Sequence, residues 1–194
     1  MDLEDNKKLL YNKLLCNNYF INKNNSKAYI KCLNEVVDQV FDLKVTSIRD
    51  VNLYSLELIR THFGLYDNNN IVTYKQLATF LNTYVAKVAK ILRSGYYELK
   101  KTINNMSKNL IIKEMIKEGL SIDGVFLKDT GLDLFSVDEL EHHSLLTLGN
   151  LLTYSKEELL SMLSNRTYLD CLLTLEDLGY SLKDENTQRL IRKN

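Results

Sequence analysis

Not one proline occurs in the 194 residues, and glycine occurs only seven times. These two residues punctuate tight turns and end strands. A chain almost without them cannot supply the many turns of a β-sandwich or barrel, whereas helices joined by polar loops need few of either. The expected fold class is all-α. An apolar share of 45% and a charged share of 26% are those of an ordinary globular chain, which argues against wholesale disorder.

Length alone allows one large domain or two small ones. Charge favours two. Residues 1–105 carry 15 basic and 10 acidic side chains, a net +5, while 126–194 carry 7 and 12, a net −5. Residues 106–125 balance at three of each. Such asymmetry points to domains with different partners. The expected organisation is a basic helical domain over 1–105, a linking helix or loop over 106–125, and an acidic helical domain over 126–194.

Apolar spacings of three and four place helices over 3–15, from Ser26 to about Phe41, and from Ser47 or Asn52 to His62. The second should bury Ile30, Leu33, Val36, Val37 and Val40, and the polar run 22–27 should separate it from the first. Gly64 and the cluster YDNNN (66–70) mark a loop. Helices over 73–81 and 83–103 follow, then a break at NNMSKNL (104–110) and a helix ending at Gly119. SIDGVFLKDTG (121–131) reads as loop or short extended structure. Four more helices are expected at about 136–143, 147–153, 155–163 and 167–178, the third opened by a Ser155–Glu158 capping box.

Catalysis finds little support. Cys16, Cys32 and Cys171 are widely spaced and include no CxxC, which suits reduced, buried thiols. His62, His142 and His143 form no ligand set, and no nucleophile–base pair or phosphate-cradling glycine loop appears. The chain is expected to be non-enzymatic, with no metal or other cofactor. Its start, MDLEDNKKLL, leads into no apolar segment, and no run nears the roughly 18 apolar residues of a membrane span. A cytoplasmic protein without a membrane partner is the expectation.

The stretch TYKQLATFLNTYVAKVAKILRSGYYELKK (73–101) has the layout of a helix–turn–helix. Leu77 and Leu81 should face a core, Ala78 should be the small residue where two helices meet, and Asn82 should take the turn. Val88 and Ile91 should bury the second helix. Two ordinary amphipathic helices joined by a turn would give the same pattern. Lys75, Tyr84, Lys87, Lys90 and Arg93 are the candidate nucleic-acid-binding residues, within a set that also holds Lys100 and Lys101 against Glu98.

On Phe63, Gly64, Leu65, Thr73, Leu77, Ala78, Leu81, Val88, Ile91 and Leu99, residues 56–103 resemble region four of the primary-type bacterial sigma factors. The resemblance implies a promoter-reading helix–turn–helix and RNA polymerase as partner. It departs where that family reads bases: the family's Arg–Glu pair is replaced by Val85–Ala86 and its next Arg by Ala89. Each bidentate base contact is worth about 1–3 kcal/mol of discrimination, so family-like reading of promoter DNA is not expected. Phosphate contact, which positions without specifying sequence, is.

Residues 132–182 resemble the C-terminal domain of the bacterial RNA polymerase α subunit. The resemblance rests on Leu140, Leu145, Thr147, Leu148, Gly149, Leu151, Leu152, Glu157, Leu159, Leu160, Met162, Leu175, Leu178, Gly179, Ser181 and Leu182. It implies a compact helix–hairpin–helix-like bundle. The family's minor-groove Arg falls at Phe135, its Asn at Asp138, and its phosphate-binding hairpin at SNRTY (164–168). Together with the acidic excess, this suggests a protein-binding surface. Two functions stay open: an RNA polymerase-binding accessory factor or regulator with weak or altered DNA contact, and a sequence-specific DNA-binding transcription factor using 73–101 on promoter DNA.

Overall fold

The computed structural model describes residues 2–16 and 26–183. Among them are nine α-helices and no β-strand: α1 (Leu3–Leu15), α2 (Ser26–Phe41), α3 (Leu53–His62), α4 (Tyr74–Phe80), α5 (Val85–Lys117), α6 (Leu134–His142), α7 (Leu148–Leu151), α8 (Lys156–Met162) and α9 (Asn165–Leu178). The fold is all-α, as the scarcity of turn residues requires. The chain divides into two compact units, Met1–Asn104 and Asn105–Asn194.

In the first unit, α1 opens on a reciprocal cap between Asp2 and Asp5 and buries Leu10 and Leu14. Its Asn6 is also buried, and donates from Nδ2 to the carbonyls of Phe63 and Asn69, each at 2.9 Å. That fastens α1 to the loop after α3. The core face of α2 is Tyr29, Leu33, Val36, Val37 and Val40. Ile30, expected among them, is half-buried, because Tyr29 sets the inward stripe one position earlier. Most of the polar run expected between α1 and α2, residues 22–25, lies outside the described residues.

The C-terminal end of α2 leaves carbonyls with no partner in the helix, and Arg60 of α3 supplies one. Its Nε donates to Val40 O at 2.8 Å, and its Nη2 to Gln39 O, Asp42 O and Val45 O at 3.2, 3.1 and 2.7 Å. Its Nη1 meets Glu57 at 2.8 Å. A buried charge is tolerable there because it is fully hydrogen-bonded. α3 starts at the Asn52 cap and ends at Phe63, where Gly64 turns the chain at φ 74°. A Cβ at Gly64 would lie 2.3 Å from Asn70 O, so only glycine fits.

Residues 104–110, expected as a break, lie inside α5. Asn is a weak helix former, but by well under about 1 kcal/mol, and tertiary partners outweigh that here. Asn104, Asn105, Ser107 and Asn109 are all buried. Asn109 accepts from Gly131 N at 2.7 Å and donates to Asp177 at 2.9 Å. The helix stops at Gly119, φ 111°.

The second unit gathers Leu127, Leu140, Leu145, Leu148, Leu151, Leu159, Cys171 and Leu175 around one core. Residues 106–125, expected as a link, contribute Ile112 and Val125 to it. Two short 3-10 turns, Ile122–Gly124 and Leu127–Asp129, occupy the segment expected as loop. Gly131 lies flush on α5, since a Cβ would come 2.5 Å from Asn105 O. α6 and α9 each begin two residues earlier than their apolar spacing suggests, because Asp133 and Ser164 cap them.

Candidate nucleic-acid interface

Thr73 opens α4 with a capping box: the Gln76 N–H donates to its hydroxyl at 3.3 Å, and the Thr73 N–H to the Gln76 side chain at 2.8 Å. Just before it, His62 Nδ1 and Val72 O lie 2.7 Å apart, and the His62 ring meets Tyr74 edge-on at 5.0 Å. Burial lowers the His62 pKa, the bond to Val72 opposes that, and Lys13 nearby lowers it further. α4 buries Leu77 and Ala78. Asn82 then takes φ 46°, a left-handed conformation that Asn adopts more readily than most residues. Thr83 N–H donates back to Ala78 O at 2.9 Å and closes the turn.

α5 sends Val88, Leu92 and Leu99 inward. Two residues expected in the core are not there. Leu81 is 37% exposed because it is the C-cap of α4. Ile91 is half-buried, since the inward stripe passes through Leu92 beside it. Gly95 lets α3 approach closely: a Cβ there would stand 2.9 Å from both Ile59 Cδ1 and Ser55 Cβ.

Lys75, Tyr84, Lys87, Lys90 and Arg93 are all exposed. At 100° per residue, Lys87, Lys90, Arg93 and Tyr97 fall in an arc of about 120° opposite the buried stripe of α5. The structure thus brings three of the five candidates onto one arc, with Tyr84 in the turn before α5 and Lys75 on α4. None of the four cations Lys75, Lys87, Lys90 and Arg93 has an ion-pair partner among the described residues. Glu98, the one acidic residue of 73–101, is already engaged: it accepts from Asn52 N at 3.0 Å and from Ser94 Oγ at 3.1 Å. The Lys100 Nζ donates to Cys16 O at 2.7 Å, which holds its charge at the C-terminal end of α1.

The surface carries apolar groups that the reading of charges omits. Phe80 is 83% exposed, Tyr84 68% and Tyr97 60%. Val85 and Ala86 are also exposed. Phe80 follows Leu77 by three, a core spacing, and nothing in the sequence marks it as exposed.

The second unit meets its helix N-termini with its own carboxylates. Ser164 N, at the start of α9, donates to Glu139 at 2.6 Å, and Ser164 Oγ at 2.7 Å. Thr167 Oγ1 donates to the same carboxylate. Asp133 caps α6 by accepting from Ser136 N at 2.8 Å. Burial acts to raise both carboxyls. For Asp133 the Ser136 amide and Arg166 outweigh it; for Glu139 the Thr167 hydroxyl and the Ser164 amide and hydroxyl do. Both are held below the usual carboxylate range. The Arg166 guanidinium lies 4.9 Å over the Phe135 ring and 2.6 Å from Asp133. The one cation beside Phe135 is therefore neutralised from within.

Among the described residues, no helix is long and apolar enough to cross a membrane, and no group of three or more His, Cys, Asp or Glu side chains is placed to hold a metal ion. A cleft lined by Phe126, Val137, Leu145 and Leu146 measures about 120 Å³, below the roughly 300–1,000 Å³ of small-molecule sites. Compared with protein-family models, curated proteins and solved structures, the chain matches none.

Proposed function

We propose that the protein is a non-enzymatic, cytoplasmic accessory factor or regulator of transcription that binds RNA polymerase and contacts DNA only weakly. One partition supports this reading. Just over half of the residues shared with the sigma and α-subunit families are buried, among them Leu77, Ala78, Val88, Leu99, Leu140, Leu148, Gly149, Leu159, Leu175 and Leu178. Residues with which those families touch DNA are replaced at the surface, by Val85, Ala86 and Phe135. A scaffold retained without its readers suits protein docking. The α9 N-terminus, already filled by Glu139, has little room for a phosphate.

The test is retention of purified bacterial RNA polymerase on the immobilised full chain. We expect a stoichiometric complex, and no retention of core enzyme or holoenzyme would overturn the proposal. The second reading, sequence-specific DNA binding, is favoured by Lys87, Lys90 and Arg93 of α5, which have no ion-pair partner among the described residues. Titration of random duplex DNA over a salt series addresses it. Phosphate contacts give a log–log slope of about −0.9 per neutralised phosphate, and a flat response rules this reading out.

A further inference from the structure

We infer that the exposed surface of α4, the 81–84 turn and α5 takes single-stranded nucleic acid in preference to duplex. The inference rests on reading 73–101 as a nucleic-acid surface, and it is independent of polymerase binding. Three aromatic rings, Phe80 on α4, Tyr84 in the turn and Tyr97 on α5, are each more than half exposed. Between the two tyrosines run Lys87, Lys90 and Arg93, on the same arc of the helix. The stretch from Tyr84 to Tyr97 is about 20 Å long at 1.5 Å per residue.

A run of cations flanked by exposed rings suits an unpaired strand. Its phosphates need positive charge, and its bases, freed from the duplex stack, offer π-faces to aromatic side chains. A duplex offers base edges, read by polar donors and acceptors. Val85 and Ala86 supply neither, and rings cannot stack on bases already covered by their neighbours. The charge balance agrees, because Glu98 is the one acidic residue of 73–101. Stacking tolerates any base, so sequence preference should be weak.

The experiment is fluorescence anisotropy of the full chain with labelled oligothymidylate of 12 residues and with a random duplex of 12 base pairs, over a salt series. The single strand should bind at least about tenfold tighter than the duplex. Phe80→Ala and Tyr84→Ala should each lower that affinity about tenfold, within the range of one lost base stack. Tyr84→Phe, which keeps the ring, should leave it unchanged. Lys87→Gln with Lys90→Gln should reduce the salt slope by about 1.4, at roughly 0.7 per phosphate on a single strand. All four positions are exposed, and unchanged thermal melts of the variants establish that folding is intact. Duplex binding as tight as, or within tenfold of, the single strand overturns the inference. Absence of binding to either, with polymerase still retained, overturns it too and leaves the proposed function standing. Single-strand binding without polymerase retention upholds it and removes polymerase.

Discussion

Replacing Arg60 with methionine removes a donor from four carbonyls. Gln39 O and Asp42 O keep the backbone amides of Asp42 and Val45, while Val40 O and Val45 O lose the bond the guanidinium gave them. In the native unit its Nε and Nη2 satisfy Gln39, Val40, Asp42 and Val45, at the end of α2 and in the chain just beyond it. A buried acceptor left without a donor costs about 1–3 kcal/mol, and hydrogen bonds to a charged donor fall at the upper end. The methionine stem keeps the packing, and Gln39 O and Asp42 O retain backbone donors, so the sum is that of two lost partners rather than four. Glu57 adds little, because its side chain is 40% exposed and can be resolvated. About 3–4 kcal/mol is the expected loss, close to the cost of breaking a buried charged cluster from one side. For a unit of this size that is a drop of roughly 15–25 °C in Tm. Arg60→Lys keeps the charge, but one ammonium cannot span four carbonyls, and about half the loss should remain. Glu57→Gln should cost under about 1 kcal/mol. The assay is thermal and urea unfolding of the full chain by circular dichroism, with tyrosine emission as a second probe, since tryptophan is absent. A methionine variant melting within about 3 °C of the native chain, or a lysine variant equal to it, would refute the reasoning.

His62 has a depressed pKa in the folded unit, so the unfolded chain binds more protons once the pH falls below the ordinary value near 6.5. Its contribution to stability is full above about pH 7 and is lost as the pH falls through the lower, folded value. The slope is at most about 1.4 kcal/mol per pH unit. Urea titrations from pH 7.5 to 5 should show this decline, and His62→Gln should abolish it. In the second unit, Gly131→Ala presses a methyl against Asn105 O and Asn109, and should cost about 1–3 kcal/mol as an overpacked contact. Gly124→Ala, whose Cβ meets only Leu120 Cδ1 at 3.7 Å, should change the unfolding midpoint little; equal effects of the two would show that the close approach at Gly131 carries no cost.

The sequence by itself determined the helices, because local chemistry decides where they start and stop. Asn52, Thr73 and Ser155 cap, Gly64 and Gly119 terminate, and Asn82 turns, each through its own side chain or backbone freedom. It also marked the exposed cations Lys87, Lys90 and Arg93. Tertiary structure decided what local signals cannot contain. The asparagines of 104–109 look like a loop until distant partners such as Gly131 and Asp177 meet them. Gly95 is unremarkable in sequence, yet it sets how closely α3 and α5 meet. Phe80 has core spacing but no neighbour to cover it, so it stands in solvent. Lys100 and Glu98 are charges like any others along the chain. Only folding commits them to Cys16 O and Asn52 N, and so decides which charges the surface keeps. Periodicity reports which face of an element could be buried; what lies opposite that face, and which polar groups it satisfies, is fixed by contacts distant in sequence.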